Sequence, residues 1–199
     1  YWNPDKQNLY VWKLGEHLTR LFQNMKTMRM TSPYTVEEYR QAVLDWARTN
    51  EFREDVHLRL VTYFGDGGAG DLKKYKPEEI EIGAWITGGP RRHDETLETG
   101  IHVCTSTWRR INDDSMPARV KAGSNYQNSR LAGVEARVNG YDDAIILTRG
   151  GRLAEAPGAN VMLIRDGTLV TPSVTSGILE GVTRATLMAL FEKHQNRAI

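Results

Sequence analysis

Arg119-Val120-Lys121-Ala122-Gly123-Ser124-Asn125-Tyr126 sets one lysine ahead of three small residues and an aromatic. A solvated ammonium, with a pKa of about 10.4, is almost never a free amine at neutral pH. A lysine that acts as a nucleophile must therefore be buried or otherwise perturbed. Ala122, Gly123 and Ser124 leave room beside Lys121 for a flat cofactor, and Ser124 or Asn125 can cap a helix running towards Asn139. The same letters also describe an ordinary solvated lysine, so the rest of the chain has to separate the two readings. Either way, one long helix stands at the centre of the second half.

Around that helix, residues 101–105, 144–148, 161–164 and 168–170 read as short strands, with hairpin turns at Arg149-Gly150-Gly151 and Asp166-Gly167. The first half has a different rhythm. Leu9-Tyr10-Val11-Trp12 alternates as a short strand, and Leu14, Leu18, Leu21, Phe22 and Met25 then recur at helical spacing. Thr35 can cap a second helix over 36–50, with Glu37 and Glu38 in its first turn and Tyr39, Val43, Leu44 and Trp46 as its apolar side. Residues 57–64 and 80–86 read as paired strands, with a flexible loop over 65–70 between them. Thr87-Gly88-Gly89-Pro90-Arg91-Arg92 breaks the periodicity and marks an interdomain linker over 87–96. The expected architecture is α+β in two domains: a small α/β domain over 1–86 and a larger, strand-rich domain over 97–199.

Both ends read as cut. Tyr1-Trp2 resembles a strand with no partner before it, and the helical pattern of Thr183, Leu187, Leu190 and Phe191 runs into Gln195-Asn196-Arg197-Ala198-Ile199 without a stop signal. Further sequence is expected on either side.

Composition narrows the function classes. With 199 residues, 40% of them hydrophobic and 26% charged, the chain can bury a sizeable core. A net charge of +1 and scattered arginines give no footprint for nucleic acid or an anionic membrane surface. No apolar run approaches the roughly 20 residues of a membrane span. Cys104, the single cysteine, argues against a disulfide framework or a cysteine-rich zinc site and reads as a core residue; the expected compartment is the reducing cytoplasm.

Four further features bear chemistry. Glu155, in Arg152-Leu153-Ala154-Glu155-Ala156-Pro157-Gly158-Ala159-Asn160, is a lone carboxylate among small and apolar residues at the end of a strand. Half-buried, it needs a partner, either a structural arginine or a protonated heterocycle. Thr175-Ser176-Gly177-Ile178-Leu179-Glu180-Gly181-Val182-Thr183-Arg184 is a glycine-punctuated turn that opens a helix, suited to a phosphate or simply to capping. Arg59, mid-strand, calls for a carboxylate from the protein or from a substrate. Arg20 lies in the first helix, where a cation is ordinarily solvated.

Taken together, His17-Leu18-Thr19-Arg20-Leu21, His57-Leu58-Arg59-Leu60, Ser106-Thr107-Trp108-Arg109-Arg110, Met116 through Tyr126, Glu155-Ala156-Pro157-Gly158-Ala159-Asn160 and Leu179-Glu180-Gly181-Val182-Thr183-Arg184 are collinear over nearly the whole chain. In this combination the sequence resembles the branched-chain amino acid aminotransferases, of the class IV (fold type IV) pyridoxal phosphate enzymes.

The resemblance implies a pseudo-barrel large domain, pyridoxal 5′-phosphate held between the two domains, and transamination of branched-chain L-amino acids with 2-oxoglutarate. It implies Lys121 as the Schiff-base lysine and proton shuttle, and Tyr126 as the partner of the ring oxygen. Glu155 would hold the pyridine nitrogen protonated and Leu179 would pack on the ring, while Arg20, Val182 and Thr183 would bind the phosphate. Arg59 would receive the distal carboxylate of glutamate. The implied partners are amino acid and 2-oxo acid substrates and a second copy of the chain, in a homodimer or higher oligomer. His57, where the family usually has tyrosine, and Ala159, where many members carry a second glutamate, depart from the pattern and bear on substrate choice. D-amino acid aminotransferase, aminodeoxychorismate lyase and a catalytically incomplete fragment are the alternatives.

Overall fold

The computed structural model describes residues 1–65, 76–91 and 94–195, which form nine strands, five α-helices and two short 3-10 turns. The chain divides into two compact units, Tyr1–Asp94 and Glu95–Ile199.

The first unit opens with a two-residue hairpin, β1 (Trp2–Asn3) against β2 (Asn8–Leu9), so Trp2 has a partner that the sequence did not reveal; Val11 and Trp12 lie beyond the strand. Helix α1 (Leu14–Thr27) buries Leu18 and Met25, and α2 (Val36–Thr49) buries Tyr39 and Val43. Thr35 caps α2 as expected. Its hydroxyl accepts from the Glu38 amide at 3.2 Å and Glu38 Oε2 accepts from the Thr35 amide at 2.7 Å, a reciprocal capping box. The Phe22 ring meets the Tyr39 ring edge-on at 5.7 Å, which locks the two helices together.

Strands β3 (Val56–Phe64) and β4 (Ile82–Pro90) pair antiparallel over their whole length. Thr87 to Pro90, read above as the start of a linker, therefore belong to a sheet, with His57 opposite Gly89 and Arg59 opposite Thr87. The physical reason is steric. A Cβ on Gly88 would meet the His57 carbonyl at 2.5 Å and the Trp46 ring at 2.8 Å, so glycine serves close packing here and not a break. Met25, Ile80 and Ile82 form this unit's core, with Leu21, Met30 and Phe64 against it. From residue 66 onward, the loop expected over 65–70 lies outside the described residues, as do Arg92 and His93 of the linker and residues 196–199 of the terminus.

In the second unit a short helix, α3 (Thr96–Thr99), precedes β5 (Val103–Arg109). β5 runs parallel to β6 (Asp143–Leu147), and the crossover between them is α4 (Asn125–Val138), the helix expected after Lys121. Ala132 and Ala136 on α4 pack on Ala144 and Ile146 of β6, with Cys104 alongside. Alanines on this face let the helix lie close to the sheet.

β7 (Leu153–Glu155) returns antiparallel to β6 through a turn closed by the Thr148 amide on the Arg152 carbonyl at 2.8 Å. β8 (Leu163–Arg165) and β9 (Thr168–Val170) form a hairpin whose central Asp166 and Gly167 both have positive φ, 50° and 73°, as a type I′ turn requires. Helix α5 (Val182–Gln195) closes the described chain. The strands of this unit pair as a three-stranded and a two-stranded sheet among the described residues. No helix of the described residues is long and apolar enough to cross a membrane.

Candidate active site

Lys121 sits on the turn between β5 and α4. The Val120 amide donates to the Pro117 carbonyl at 3.1 Å and the Ala122 amide to the Val120 carbonyl at 2.9 Å, while Ala118 and Val120 are buried. The lysine itself is exposed, which corrects the burial expected of it; Ala122, Gly123 and Ser124 are too small to cover it. Its Nζ donates to Tyr126 Oη at 2.9 Å and lies 5.4 Å from that ring's centre. The expected cap is also corrected. Ser124 makes no side-chain capping bond, and Asn125 Nδ2 turns back to the Pro117 and Val120 carbonyls at 2.9 and 2.8 Å.

Glu155, at the end of β7, is 5% exposed. Of the two partners its sequence left open, the structural arginine is present: Arg110, 6% exposed and just past β5, places Nη2 2.7 Å from Oε1. Arg110 also donates from Nε to the Gly177 carbonyl at 3.0 Å and from Nη1 to Ser129 Oγ at 3.3 Å. Oε2 of Glu155 accepts from Asn160 Nδ2 and from the Leu179 amide, both at 3.0 Å. Burial pushes the Glu155 carboxyl above its ordinary range, opposed by Arg110, the Leu179 and Asn160 hydrogen bonds and the charge of Lys121. A carboxylate offers about four lone-pair positions. Three donors occupy it here, so one position remains for a further N–H group.

The segment before α5 is shaped by two glycines. Gly177 has φ +68°, and a Cβ there would meet the Ile111 carbonyl at 2.7 Å; at Gly181 a Cβ would collide with Asn160 Oδ1. Leu179 is thereby laid along Glu155 and Asn160, the latter donating to the Leu179 carbonyl at 2.9 Å. Val182 and Thr183 begin the first turn of α5, whose leading N–H groups have no partner within a helix and form its positive dipole end. Arg184 anchors that turn on the Thr171 hydroxyl at 3.1 Å and the Pro172 carbonyl at 2.9 Å. Across the gap, Arg119 Nη1 lies 3.4 Å from Glu180 Oε1, joining this segment to the turn that carries Lys121.

The second unit thus gathers Lys121 with Tyr126, and Glu155 with Leu179 just ahead of Val182 and Thr183, within one electrostatic neighbourhood. Arg20 and Arg59 belong to the first unit. Arg20 Nη2 lies 3.3 Å from His17 Nδ1 on α1. Arg59 is exposed on β3, where a buried position was expected, and among the described residues no protein carboxylate pairs with it; a substrate carboxylate is the other partner its sequence context left open. Sequence reasoning assigned no role to Arg110 or Asn160, and gave Asn125 only that of a helix cap. Arg110 carried one signal, an arginine at a strand end in a chain that also needed a partner for Glu155; Asn160 carried none, and the position of Asn125 at a helix start suggested a cap rather than a bond back to the preceding turn.

The sequence matches the family described as amino-transferase class IV over residues 6–199. It is 37% identical over 195 residues to a probable branched-chain-amino-acid aminotransferase of Aquifex aeolicus, covering 97% of this chain and 61% of that protein. Among solved structures, the branched-chain amino acid aminotransferase of Thermobaculum terrenum in its PLP form is 37% identical with a TM-score of 0.91, over all of this chain and 63% of that one. The branched-chain aminotransferase of Thermoproteus uzoniensis with norvaline is 35% identical with a TM-score of 0.89, over all of this chain and 65% of that one. The chain therefore spans about three fifths of the relatives it matches.

Proposed function

The chain belongs to the class IV amino-transferase family, and from that premise we propose that it catalyses pyridoxal 5′-phosphate-dependent transamination of branched-chain L-amino acids (Leu, Ile, Val) with 2-oxoglutarate. The observation that carries this reading is the pairing of Lys121 and Tyr126 at 2.9 Å beside a buried Glu155 with one acceptor position left over. When bound, pyridoxal phosphate supplies an electron sink for the amino acid's α carbon.

This chain's residues supply the rest. Lys121 Nζ is the nucleophile and the proton carrier at the α carbon, and Tyr126, whose Oη accepts from it, would be the partner of the ring oxygen. Glu155 holds a proton on the ring nitrogen through its remaining lone pair, and Arg110 and Asn160 fix its orientation. The amides of Val182 and Thr183 would hold the phosphate and Leu179 would pack on the ring, and Arg20 of the first unit is the side chain that would add a cation to the phosphate. Arg59, exposed and without a protein carboxylate among the described residues, receives the distal carboxylate of glutamate. The unit Tyr1–Asp94 acts as the small domain and Glu95–Ile199 as the barrel-like large one, with homodimer assembly. Two half-reactions on one lysine give ping-pong kinetics.

The test is absorption of the purified chain with pyridoxal phosphate, before and after L-leucine, followed by borohydride reduction and peptide mapping. A visible band that shifts with L-leucine, and label on Lys121, are the expected results. A folded chain that shows neither overturns the proposal.

A further inference from the structure

Lys121 is exposed, and only its tip is held, by Tyr126. Its direction therefore has to be set by the backbone beneath it. That backbone is a tight turn whose inner side is filled by one polar side chain, Asn125, 3% exposed. Both hydrogens of its amide are used: Nδ2 donates to the Pro117 carbonyl at 2.9 Å and to the Val120 carbonyl at 2.8 Å. Each of these carbonyls already accepts a backbone amide, from Val120 and Ala122 respectively. The Val120 carbonyl belongs to the peptide plane that carries the Lys121 nitrogen, so fixing it fixes the departure of the lysine side chain.

The other end of the amide shows what this arrangement costs. Oδ1 of Asn125 is the one buried side-chain polar atom without a hydrogen-bond partner among the described residues. Flipping the amide would set that oxygen against two carbonyls, so the orientation is settled by the donors. A buried acceptor left unmatched is unfavourable, and a side chain present only to fill space would be better replaced by an apolar one of the same size.

We propose that Asn125 is a positioning residue for Lys121, its buried amide clamping the 117–121 turn so that the lysine is presented in one direction. The proposal deepens the transaminase reading and, for its link to reactivity, rests on it. Asn125→Leu keeps the branched shape and removes both donors; Asn125→Ser keeps one.

The test has two parts. Hydrogen exchange is followed in the full chain, where the Val120 and Ala122 amides should exchange roughly ten-fold faster in Asn125→Leu, given the usual net worth of two hydrogen bonds. Asn125→Ser should fall between, and the β6 amides should not change. Unaltered exchange in the turn, or an equal rise throughout the unit, overturns the clamp. In parallel, pyridoxal phosphate with borohydride is used to label Lys121 below the melting temperature of each variant. Slower labelling in the order wild type, Ser, Leu supports positioning, and equal rates overturn it. Absence of label on wild-type Lys121 overturns the transaminase reading and with it the link to reactivity, while the exchange data still decide the clamp.

Discussion

At the scale of residues, Arg110 and Glu155 are a buried ion pair, and such pairs are poor stabilisers because desolvation offsets the attraction. Breaking one is another matter. Glu155→Gln leaves the Arg110 guanidinium buried without its counter-charge, and we expect a loss of about 3–5 kcal/mol in urea unfolding. Arg110→Leu with Glu155→Leu should recover most of it while eliminating cofactor retention; a double variant as unstable as the two singles combined would show that the charges stabilise the fold outright. Lys121→Ala touches no buried contact, so stability should shift by no more than about 0.5 kcal/mol while covalent capture of pyridoxal phosphate disappears. Label persisting elsewhere at the wild-type rate would sink its role. These residues differ in how far sequence could place them. Lys121 and Glu155 stood out because small neighbours isolate them, and the need of a half-buried carboxylate for a cation pointed to an arginine. The exposure of Lys121 and Arg59 depends on what the fold lays over them, which local letters do not encode.

At the scale of elements, Glu135 on α4 holds the end of β5. It accepts from the Ser106 hydroxyl and from both the amide and hydroxyl of Thr107, at 3.0 and 2.6 Å, beside the register shift between Thr105 and Arg109. The Ser106 hydrogen bond, then those of Thr107, lower its carboxyl below the ordinary 4.5. A depressed carboxylate stabilises the folded state fully above its unfolded value and loses that contribution as pH falls through the folded one. The stability gap between wild type and Glu135→Gln should therefore be constant near neutrality and shrink below about pH 4.3. A gap that widens on acidification would contradict this account. Helices α1 and α2 were readable because apolar residues recur on one face and Thr35 with Glu38 signals a cap. The two-residue β1 and β2 have no period to detect, and Thr87-Gly88-Gly89-Pro90 mimics a break although Gly88 is there to make room for the His57 carbonyl and the Trp46 ring, groups distant in sequence.

At the scale of the molecule, each unit has a separate core: Met25, Ile80 and Ile82 in one, Ala132, Ala136, Ala144 and Ile146 in the other. Both cores could be listed as apolar letters, but which letters meet is set by β3–β4 pairing and by the parallel β5–α4–β6 crossover, contacts between residues far apart in sequence. The groups of the candidate site are placed by that crossover and the strands beside it. Lys121 precedes α4, Arg110 follows β5 and Glu155 ends β7, so packing of α4 on β6 sets the frame in which they meet. Ile146, fully buried at that contact, is the point where stability and chemistry share a cause. Ile146→Ala should cost about 2–5 kcal/mol. Hydrogen exchange should rise through β5, α4 and β6 and leave β3 and β4 at wild-type rates, since each core is stabilised by its own contacts. Pyridoxal phosphate retention should fall with it although Ile146 belongs to no binding group. If β3 and β4 open to the same extent as β6, the two cores form one cooperative unit and the division at Asp94 has no energetic meaning.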